Sequence, residues 1–273
     1  MNLIRYYRTI NILSIDIALG AVVSALFLGK ALRVKPDIAS LLCLGITVWI
    51  IYTADHLLDA RRIAGVASTL RHRFHQENFR SIFVILLVAI FLNSILLFFV
   101  GRTVLMFGGV LSLLVCLYFL FQRHLSFLKE GIGAILYTAG VFLPIEVQIS
   151  RSASTYELSL ITMFTITALV NLTLFSWYDL EHDKMDNQSS LSVQFGKRAV
   201  SVFLYLLFAT QLSIAILVTG LNGYLSLPVS IVIGMNFLLF LIFKRPDALA
   251  SEDRYRMAGD AVFIFPILFY NWL

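Results

Sequence analysis

Charged residues are scarce in this chain of 273 residues. Asp, Glu, Lys and Arg together make up 14% of it, whereas apolar residues make up 59%, and the mean hydropathy is +0.87. A soluble domain of this size cannot bury so much apolar surface, so the composition excludes a soluble protein. The formal net charge of +5 is therefore interpreted as a signal of membrane orientation rather than of nucleic-acid binding.

Cysteine and linker sequences are also nearly absent. The two cysteines, Cys43 and Cys116, lie inside apolar runs and are interpreted as small packing residues. No obvious cleavage site follows the first apolar run, which therefore predicts a membrane helix rather than a signal peptide. No low-complexity segment or linker interrupts the chain, so we expect one domain over residues 1–273.

Nine apolar runs follow one another along the chain. A helix that spans a bilayer needs roughly 20 apolar residues, and runs near that length cover residues 12–28, 38–54, 82–100, 104–121, 132–149, 158–177, 200–221, 225–243 and 261–273. The last run is the shortest. The sequence predicts an all-α, polytopic integral membrane protein that forms a single bundle of nine transmembrane helices.

The distribution of Lys and Arg predicts the orientation of this bundle. With the N-terminus in the cytoplasm, 16 of the 21 basic residues fall in cytoplasmic segments and 5 fall in outer segments. Cytoplasmic loops are normally enriched in Lys and Arg. We therefore expect a cytoplasmic N-terminus. Because no targeting segment is visible, the expected location is a prokaryotic inner or cell membrane.

Two pairs of aspartates stand where the second and sixth runs end. Asp55 and Asp59, and likewise Asp179 and Asp183, are four residues apart, so each pair shares one face of a helix. Carboxylates are unfavourable at a helix C-terminus, which carries partial negative charge. Either pair alone is more typical of solvated loop acids. The two together, both cytoplasmic in the predicted topology, favour a Mg²⁺ site, because Mg²⁺ prefers carboxylate and phosphate oxygens.

Basic residues accompany both aspartate pairs. They are Arg61, Arg62, Arg71 and Arg73 after the first pair, Lys184 after the second, and Arg123 on the intervening loop. A diphosphate bridged by Mg²⁺ to the aspartates, with Arg and Lys on its other oxygens, balances both sets of charge. An apolar cavity between the helices would hold a hydrocarbon tail. The combination predicts an enzyme that acts on a lipid diphosphate.

The second motif resembles a motif of the UbiA superfamily of membrane prenyltransferases. Residues 179–196, which read D-L-E-H-D-K-M-D-N-Q-S-S-L-S-V-Q-F-G, are similar to that family's D-x-x-x-D segment, which continues through a basic residue to a closing Gly. Residues 118–123, Y-F-L-F-Q-R, followed by G-I-G at 131–133, resemble its Y-[ST]-P-x-x-K segment. Nine helices with both motifs cytoplasmic also resemble the family's architecture.

The first motif resembles the family's N-D-x-x-D-x-x-x-D followed by a basic loop. Asp55 and Asp59 fill the last two acidic positions, and Arg71 fits the loop arginine. Ile51 stands where the family has Asn, and Tyr52 stands where it has the first acid. The chain is therefore identified as a divergent member of the superfamily.

This resemblance implies a reaction. The expected activity is Mg²⁺-dependent transfer of a prenyl group from an isoprenoid diphosphate to a small lipophilic, often aromatic, acceptor. The expected catalytic metal ligands are Asp55, Asp59, Asp179 and Asp183. The expected diphosphate-binding residues are Arg71, Arg123 and Lys184. The other expected partner is membrane lipid, with no nucleic acid.

Alternatives remain open at this level. A proton-coupled transporter also uses membrane carboxylates, but these four lie at one edge of the bundle, and the sequence shows no inverted repeat. A non-catalytic protein that binds isoprenoid lipids is compatible with Ile51. A CDP-alcohol phosphotransferase would need a D-G-x-x-A-R motif, which is absent. Arg254, Arg256 and Asp260 are interpreted as a structural cap of ion pairs.

Overall fold

The computed structural model describes residues 3–125, 128–148 and 154–272, with every side chain in these ranges except those of Leu3, Arg123 and His124. These residues form helices and no strand, which confirms the all-α prediction. The α-helices are α1 Leu3–Ile12, α2 Ile15–Ala31, α3 Ile38–Arg62, α4 Leu70–Glu77, α5 Phe79–Leu96, α6 Arg102–Leu125, α7 Lys129–Glu146, α8 Thr155–Met185, α9 Leu191–Asn222, α10 Leu227–Phe243, α11 Pro246–Leu249 and α12 Arg254–Ala261.

Five of these helices are long and apolar enough to cross a membrane. They are α3, α5 with its 3₁₀ extension to Phe99, α6, α8 and α9. The pair α1 and α2 meets the same criterion but is bent by 81°, and α10 is apolar but has 17 residues. Together with α7, these helices correspond to the first eight predicted runs.

The ninth predicted run departs from a regular helix. Over residues 261–273 we expected one transmembrane helix, but α12 ends at Ala261, and turns and the short 3₁₀ helix Phe265–Phe269 occupy the described residues that follow. Pro266 has no backbone N–H, so it cannot donate the α-helical bond to the carbonyl of Val262. The described chain therefore contains eight membrane-length or near-membrane-length α-helical segments and this irregular terminal segment.

The bend between α1 and α2 places a short polar helix against the bundle. Ser14 adopts a left-handed backbone conformation at φ 56°, which breaks the helix between Ile12 and Ile15. Because of the bend, α1 packs against α4 and α12 instead of continuing along α2. This arrangement brings Tyr7 and Asn11 of α1 to the interior.

Helix α8 is the central element. In its most apolar stretch 56% of the residues are buried, against 11% for α5 and none for α6. Helices α5 and α6 therefore present apolar side chains such as Phe91, Phe98 and Leu120 on the outer surface, as expected of a lipid-facing surface. A capping box of Ser154 and Glu157 starts α8, and the second aspartate pair lies in its last two turns.

Candidate functional site

The first aspartate pair lies in the last two turns of α3. Asp55 and Asp59 are both half-buried, and Asp59 Oδ1 is 3.7 Å from Arg62 Nη1. Asp55 Oδ1 is buried and accepts no hydrogen bond within 3.5 Å from the described residues, although the Gln122 side chain, whose Nε2 is also unpaired, lies close to this carboxyl group. An unpaired buried carboxylate oxygen is costly, so this atom is suited to a cation or donor that a ligand supplies.

The second aspartate pair lies at the end of α8, and its first member already has partners. Asp179 is buried, accepts a hydrogen bond from the Tyr255 hydroxyl, and forms an ion pair with the Arg256 guanidinium. Both partners come from α12. Asp183, one turn further along α8, is half-buried beside Ser190.

The two pairs lie at the same end of the bundle, where α3 and α8 terminate; this is called the aspartate end below. Lys129, the first residue of α7, is a cationic neighbour of both Asp55 and Asp183. Its amine donates to the carbonyl of Ser189 at 3.2 Å. The charge of one lysine therefore acts on one carboxyl group of each pair.

The linker between α3 and α4 also joins the two motifs. Ser68 Oγ donates to Asp186 Oδ2 at 2.9 Å, and the Ser68 N–H donates to Asp186 Oδ1 at 3.1 Å. His182 Nδ1 lies 3.2 Å from Ser68 Oγ. The segment that follows the first aspartate pair is thus fastened to the end of the helix that carries the second.

His72 of α4 lies against this linkage in its neutral form. Burial, together with the positive charges of Arg256 and Arg71, lowers the pKa of His72 to about 3. Asp186 Oδ2 is 3.9 Å from His72 Nδ1, but burial and the two arginines outweigh this one carboxylate. The contact is therefore not an ion pair at neutral pH.

The predicted diphosphate-binding residues have different surroundings. Arg71 is buried, donates to Asn11 Oδ1 at 2.8 Å, and lies 3.7 Å from Asp260 Oδ2. Lys184 is exposed and its amine lies 3.3 Å from Glu181 Oε1. The side chain of Arg123, on α6, lies outside the described part of the structure.

Lys129, Tyr255 and the role of Arg256 at Asp179 were missed at the sequence level. Arg256 was interpreted as part of a structural cap, and it does form an ion pair, but its partner is a predicted metal ligand. The signal available in the sequence is the i, i+4 spacing of Arg256 and Asp260 in a polar stretch just before the last apolar run.

The acidic residues fit a Mg²⁺ ion that is shared with a ligand. In the described ranges there is no group of three or more His, Cys, Asp or Glu side chains that could hold a metal ion, so no protein cage is preformed. Mg²⁺ is commonly bound by one or two carboxylates, waters and substrate phosphates. The unpartnered Asp55 Oδ1 and the half-buried Asp183 offer oxygens of this kind.

A small cavity lies inside the bundle beneath these residues. Its volume is about 20 Å³, and its walls include Tyr52, Tyr137, Asn171 and Asp260. A second, larger groove of about 630 Å³ lies on the outside, between α10, α11, α12 and the 3₁₀ segment, and its lining is almost wholly apolar.

The fold is that of solved UbiA homologues. A UbiA homologue from Archaeoglobus fulgidus bound to DMAPP and Mg²⁺ is similar over 97% of this chain and 99% of its own, with a TM-score of 0.63 and 12% identity. A structure of a UbiA homologue from A. fulgidus bound to GPP and Mg²⁺ is similar over the same shares of both chains, with a TM-score of 0.64 and 11% identity. The apo UbiA homologue from Aeropyrum pernix K1 matches over the full length of both chains, with a TM-score of 0.63 and 14% identity.

At these identities the similarity shows the fold. No protein-family model matches the chain, and no curated protein matches it. The resemblance to the UbiA superfamily that the motifs indicated is confirmed at the level of the fold, over nearly the whole chain.

Proposed function

We propose that this chain is a UbiA-type membrane prenyltransferase, which moves a prenyl group from an isoprenoid diphosphate to a small lipophilic acceptor. The observation that carries the proposal is that two aspartate pairs lie at one end of a UbiA-like bundle, with the charge of Lys129 acting on a carboxyl group of each pair. The A. fulgidus homologue of the same fold was solved with isoprenoid diphosphates and Mg²⁺.

The proposal includes a topology. The helices form one bundle in which the terminal 3₁₀ segment takes the place of the ninth span, and the N-terminus and the aspartate end face the cytoplasm. The excess of Lys and Arg at that face supports this orientation. The chain is accordingly a multi-pass protein of a prokaryotic cell membrane.

Asp55, Asp59, Asp179 and Asp183 would hold Mg²⁺, which when bound supplies a Lewis acid for the diphosphate oxygens. Lys129 and Arg256 would bind phosphate oxygens, together with the predicted residues Arg71, Arg123 and Lys184. These cations stabilise the charge that collects on the diphosphate as its bond to C1 of the prenyl group breaks. The apolar bundle excludes water from the allylic cation until the acceptor attacks it.

A binding experiment tests this function. The melting temperature of the purified protein in detergent is measured with geranyl diphosphate, with and without Mg²⁺, for the wild type and for Asp55→Asn and Asp183→Asn. A ligand that binds the folded state stabilises it by about 2.7 kcal/mol at a concentration of 100 Kd. We expect this stabilisation to need Mg²⁺ and to be lost in both variants, and to persist in the control Asp247→Asn, an exposed acid on α11.

The outcomes separate the alternatives. The absence of a Mg²⁺-dependent shift for isoprenoid diphosphates of several lengths would contradict the enzyme and favour the proton-coupled transporter. Mg²⁺-dependent binding without release of inorganic diphosphate in the presence of phenolic or alcoholic acceptors would identify a non-catalytic isoprenoid-lipid-binding protein.

A further inference from the structure

The small interior cavity lies directly below the aspartate end. Tyr52 precedes Asp55 by three residues on α3, and Asn171 precedes Asp179 by eight residues on α8. At a rise of about 1.5 Å per residue, the cavity walls are one to two turns from the aspartates. On α12, which runs in the opposite direction, Asp260 follows Arg256 by one turn. On each of the helices α3, α8 and α12, a residue of the aspartate end and a residue of the cavity wall are therefore one to two turns apart.

Two hydrogen-bond acceptors in the cavity wall have unused capacity. Asn171 is 5% exposed, and its Oδ1 is buried without a hydrogen-bond partner among the described residues. Asp260 is also buried, and both of its described contacts, with Asn11 and Arg71, fall on Oδ2. A buried acceptor without a donor is destabilising. The cavity is therefore complementary to a ligand group that donates hydrogen bonds.

Above about pH 7 the charge next to the cavity is negative. Burial and the neighbouring charge of Asp16 raise the pKa of Asp260 to about 7, so both carboxyl groups are ionised only above that pH. Asp16 and Asp260 are both buried, and the two hydrogens of Asn11 Nδ2 bridge them, at 2.6 Å to Asp16 Oδ2 and 2.8 Å to Asp260 Oδ2. Of the described cations, Arg71 is the one within 4 Å of either carboxylate. Two buried carboxylates against one guanidinium disfavour an anionic ligand.

Aromatic rings form the other side of the cavity. Tyr137 packs edge-on against Phe263, with ring centroids 5.4 Å apart, and Tyr52 completes this wall. A volume of about 20 Å³ admits one water-sized group, since holding a water takes about 10–15 Å³. The cavity thus fits a single hydroxyl at the edge of an aromatic surface.

We propose that this cavity is the subsite for the hydroxyl group of the prenyl acceptor, and that Asp260 and Asn171 select a neutral phenol or alcohol over a carboxylate. The inference rests on the proposed function, because it places the acceptor one to two turns from the leaving diphosphate. It adds the chemical class of the acceptor, which the acidic surroundings of Asp260 determine.

Three matched probes test the subsite without turnover. In the absence of any diphosphate, the affinities of 4-butylphenol, 4-butylbenzoate and butylbenzene are measured by calorimetry in detergent at about pH 8.5, where Asp260 is ionised and the phenol is neutral. Butylbenzene corrects for partition into micelles. We expect the wild type to bind the phenol at least about tenfold more tightly than the other two, since a hydrogen bond to a charged group contributes about 1.5–3 kcal/mol.

Two variants should each change a different ratio of affinities, a pattern that misfolding would not produce. Asp260→Asn removes one of the two negative charges but keeps the shape, so the discrimination against the benzoate should weaken. Asn171→Leu should abolish the preference for the phenol over butylbenzene. The control Asp247→Asn makes the same chemical change on an exposed residue of α11 and should keep the wild-type order. An unchanged phenol-to-benzoate ratio in Asp260→Asn would overturn the proposal.

The same proteins are tested with geranyl diphosphate and Mg²⁺. If the wild type shows the Mg²⁺-dependent shift but no preference for the phenol, the subsite is refuted and the cavity holds a structural water. If the wild type shows no such shift, the proposed function fails and the acceptor subsite fails with it.

Discussion

At the scale of single residues, the main feature of the aspartate end is that the chain supplies its own cations. Arg256 pairs with Asp179, and Lys129 lies beside Asp55 and Asp183. Asp179 is buried, so an unpaired charge there would be strongly destabilising. In this conformation Arg256 neutralises the charge of Asp179, a role that the proposed function gives to Mg²⁺.

Replacement of Arg256 tests this pairing. Arg256→Gln should lower the free energy of unfolding by about 3 kcal/mol, because it leaves a buried carboxylate without its cation. Arg254→Gln is the matched control, since Arg254 lies on the same helix, is exposed, and pairs with exposed Glu252 at 3.3 Å, which is worth at most about 1 kcal/mol. Denaturant unfolding in detergent measures both, and equal losses would contradict the role given to Arg256.

The same variant distinguishes a structural cap from a competitor of the metal. If Arg256 and Mg²⁺ compete for Asp179, Mg²⁺ alone should raise the melting temperature of Arg256→Gln more than that of the wild type. An equal response to Mg²⁺ in both proteins would show that Arg256 is only a structural partner.

His72 gives a prediction about pH. Burial lowers its folded-state pKa to about 3, against an unfolded value of about 6.5. Between these values the unfolded chain binds the proton and the folded chain does not, so stability decreases as pH falls below about 6.5 and is unaffected above it. His72→Gln should lose less stability than the wild type between pH 6.5 and 4.5, and parallel melting curves would refute this assignment.

At the scale of elements, the close packing of α12 on α8 positions the site. A Cβ atom at Gly259 would lie 2.5 Å from Asn171 Oδ1 and 2.7 Å from Phe175 Cε1, so only glycine allows this approach. This close approach brings Tyr255 and Arg256 into contact with Asp179. It also positions Asp260 in the wall of the cavity. Periodicity could predict that α8 is a helix, but this contact depends on how two distant segments pack.

Substitution of Gly259 tests the contact between the two helices. Gly259→Ala should destabilise the fold by about 1–3 kcal/mol, because the added methyl group has no space. Gly109→Ala, in α6, is the control, since a Cβ there meets nothing within 4 Å and alanine favours the helix by up to about 1 kcal/mol. Thermal unfolding should show opposite signs for the two variants, and a neutral Gly259→Ala would contradict the packing argument.

At the scale of the whole molecule, the fold is shared with UbiA homologues at 11–14% identity. A fold can be shared at such low identity because a bilayer requires apolar helices of sufficient length rather than particular side chains. The first eight predicted runs coincide with helices. The ninth does not, since its length and Pro266 prevent a regular membrane-length helix.

The proposed orientation predicts which loops are accessible from outside the cell. In a background without Cys43 and Cys116, Tyr224→Cys, between α9 and α10, should react with a membrane-impermeant maleimide in intact cells. Val66→Cys, between α3 and α4, should react only after permeabilisation. Both positions are highly exposed, at 68% and 76%, so burial does not bias the comparison. The reverse pattern would place the aspartate end outside.

The sequence by itself determined the all-α, apolar class of the fold, the positions of eight helices and the two aspartate pairs at helix ends. These features are local, since they depend on composition, periodicity and spacing within a few turns. The partners of the aspartates were decided by the tertiary structure: Arg256 and Asp179 are 77 residues apart, and Asn11 and Asp260 are 249 apart. Such contacts exist because the 81° bend after α1 and the glycine at position 259 let short polar helices pack into the bundle, and no local pattern encodes that packing.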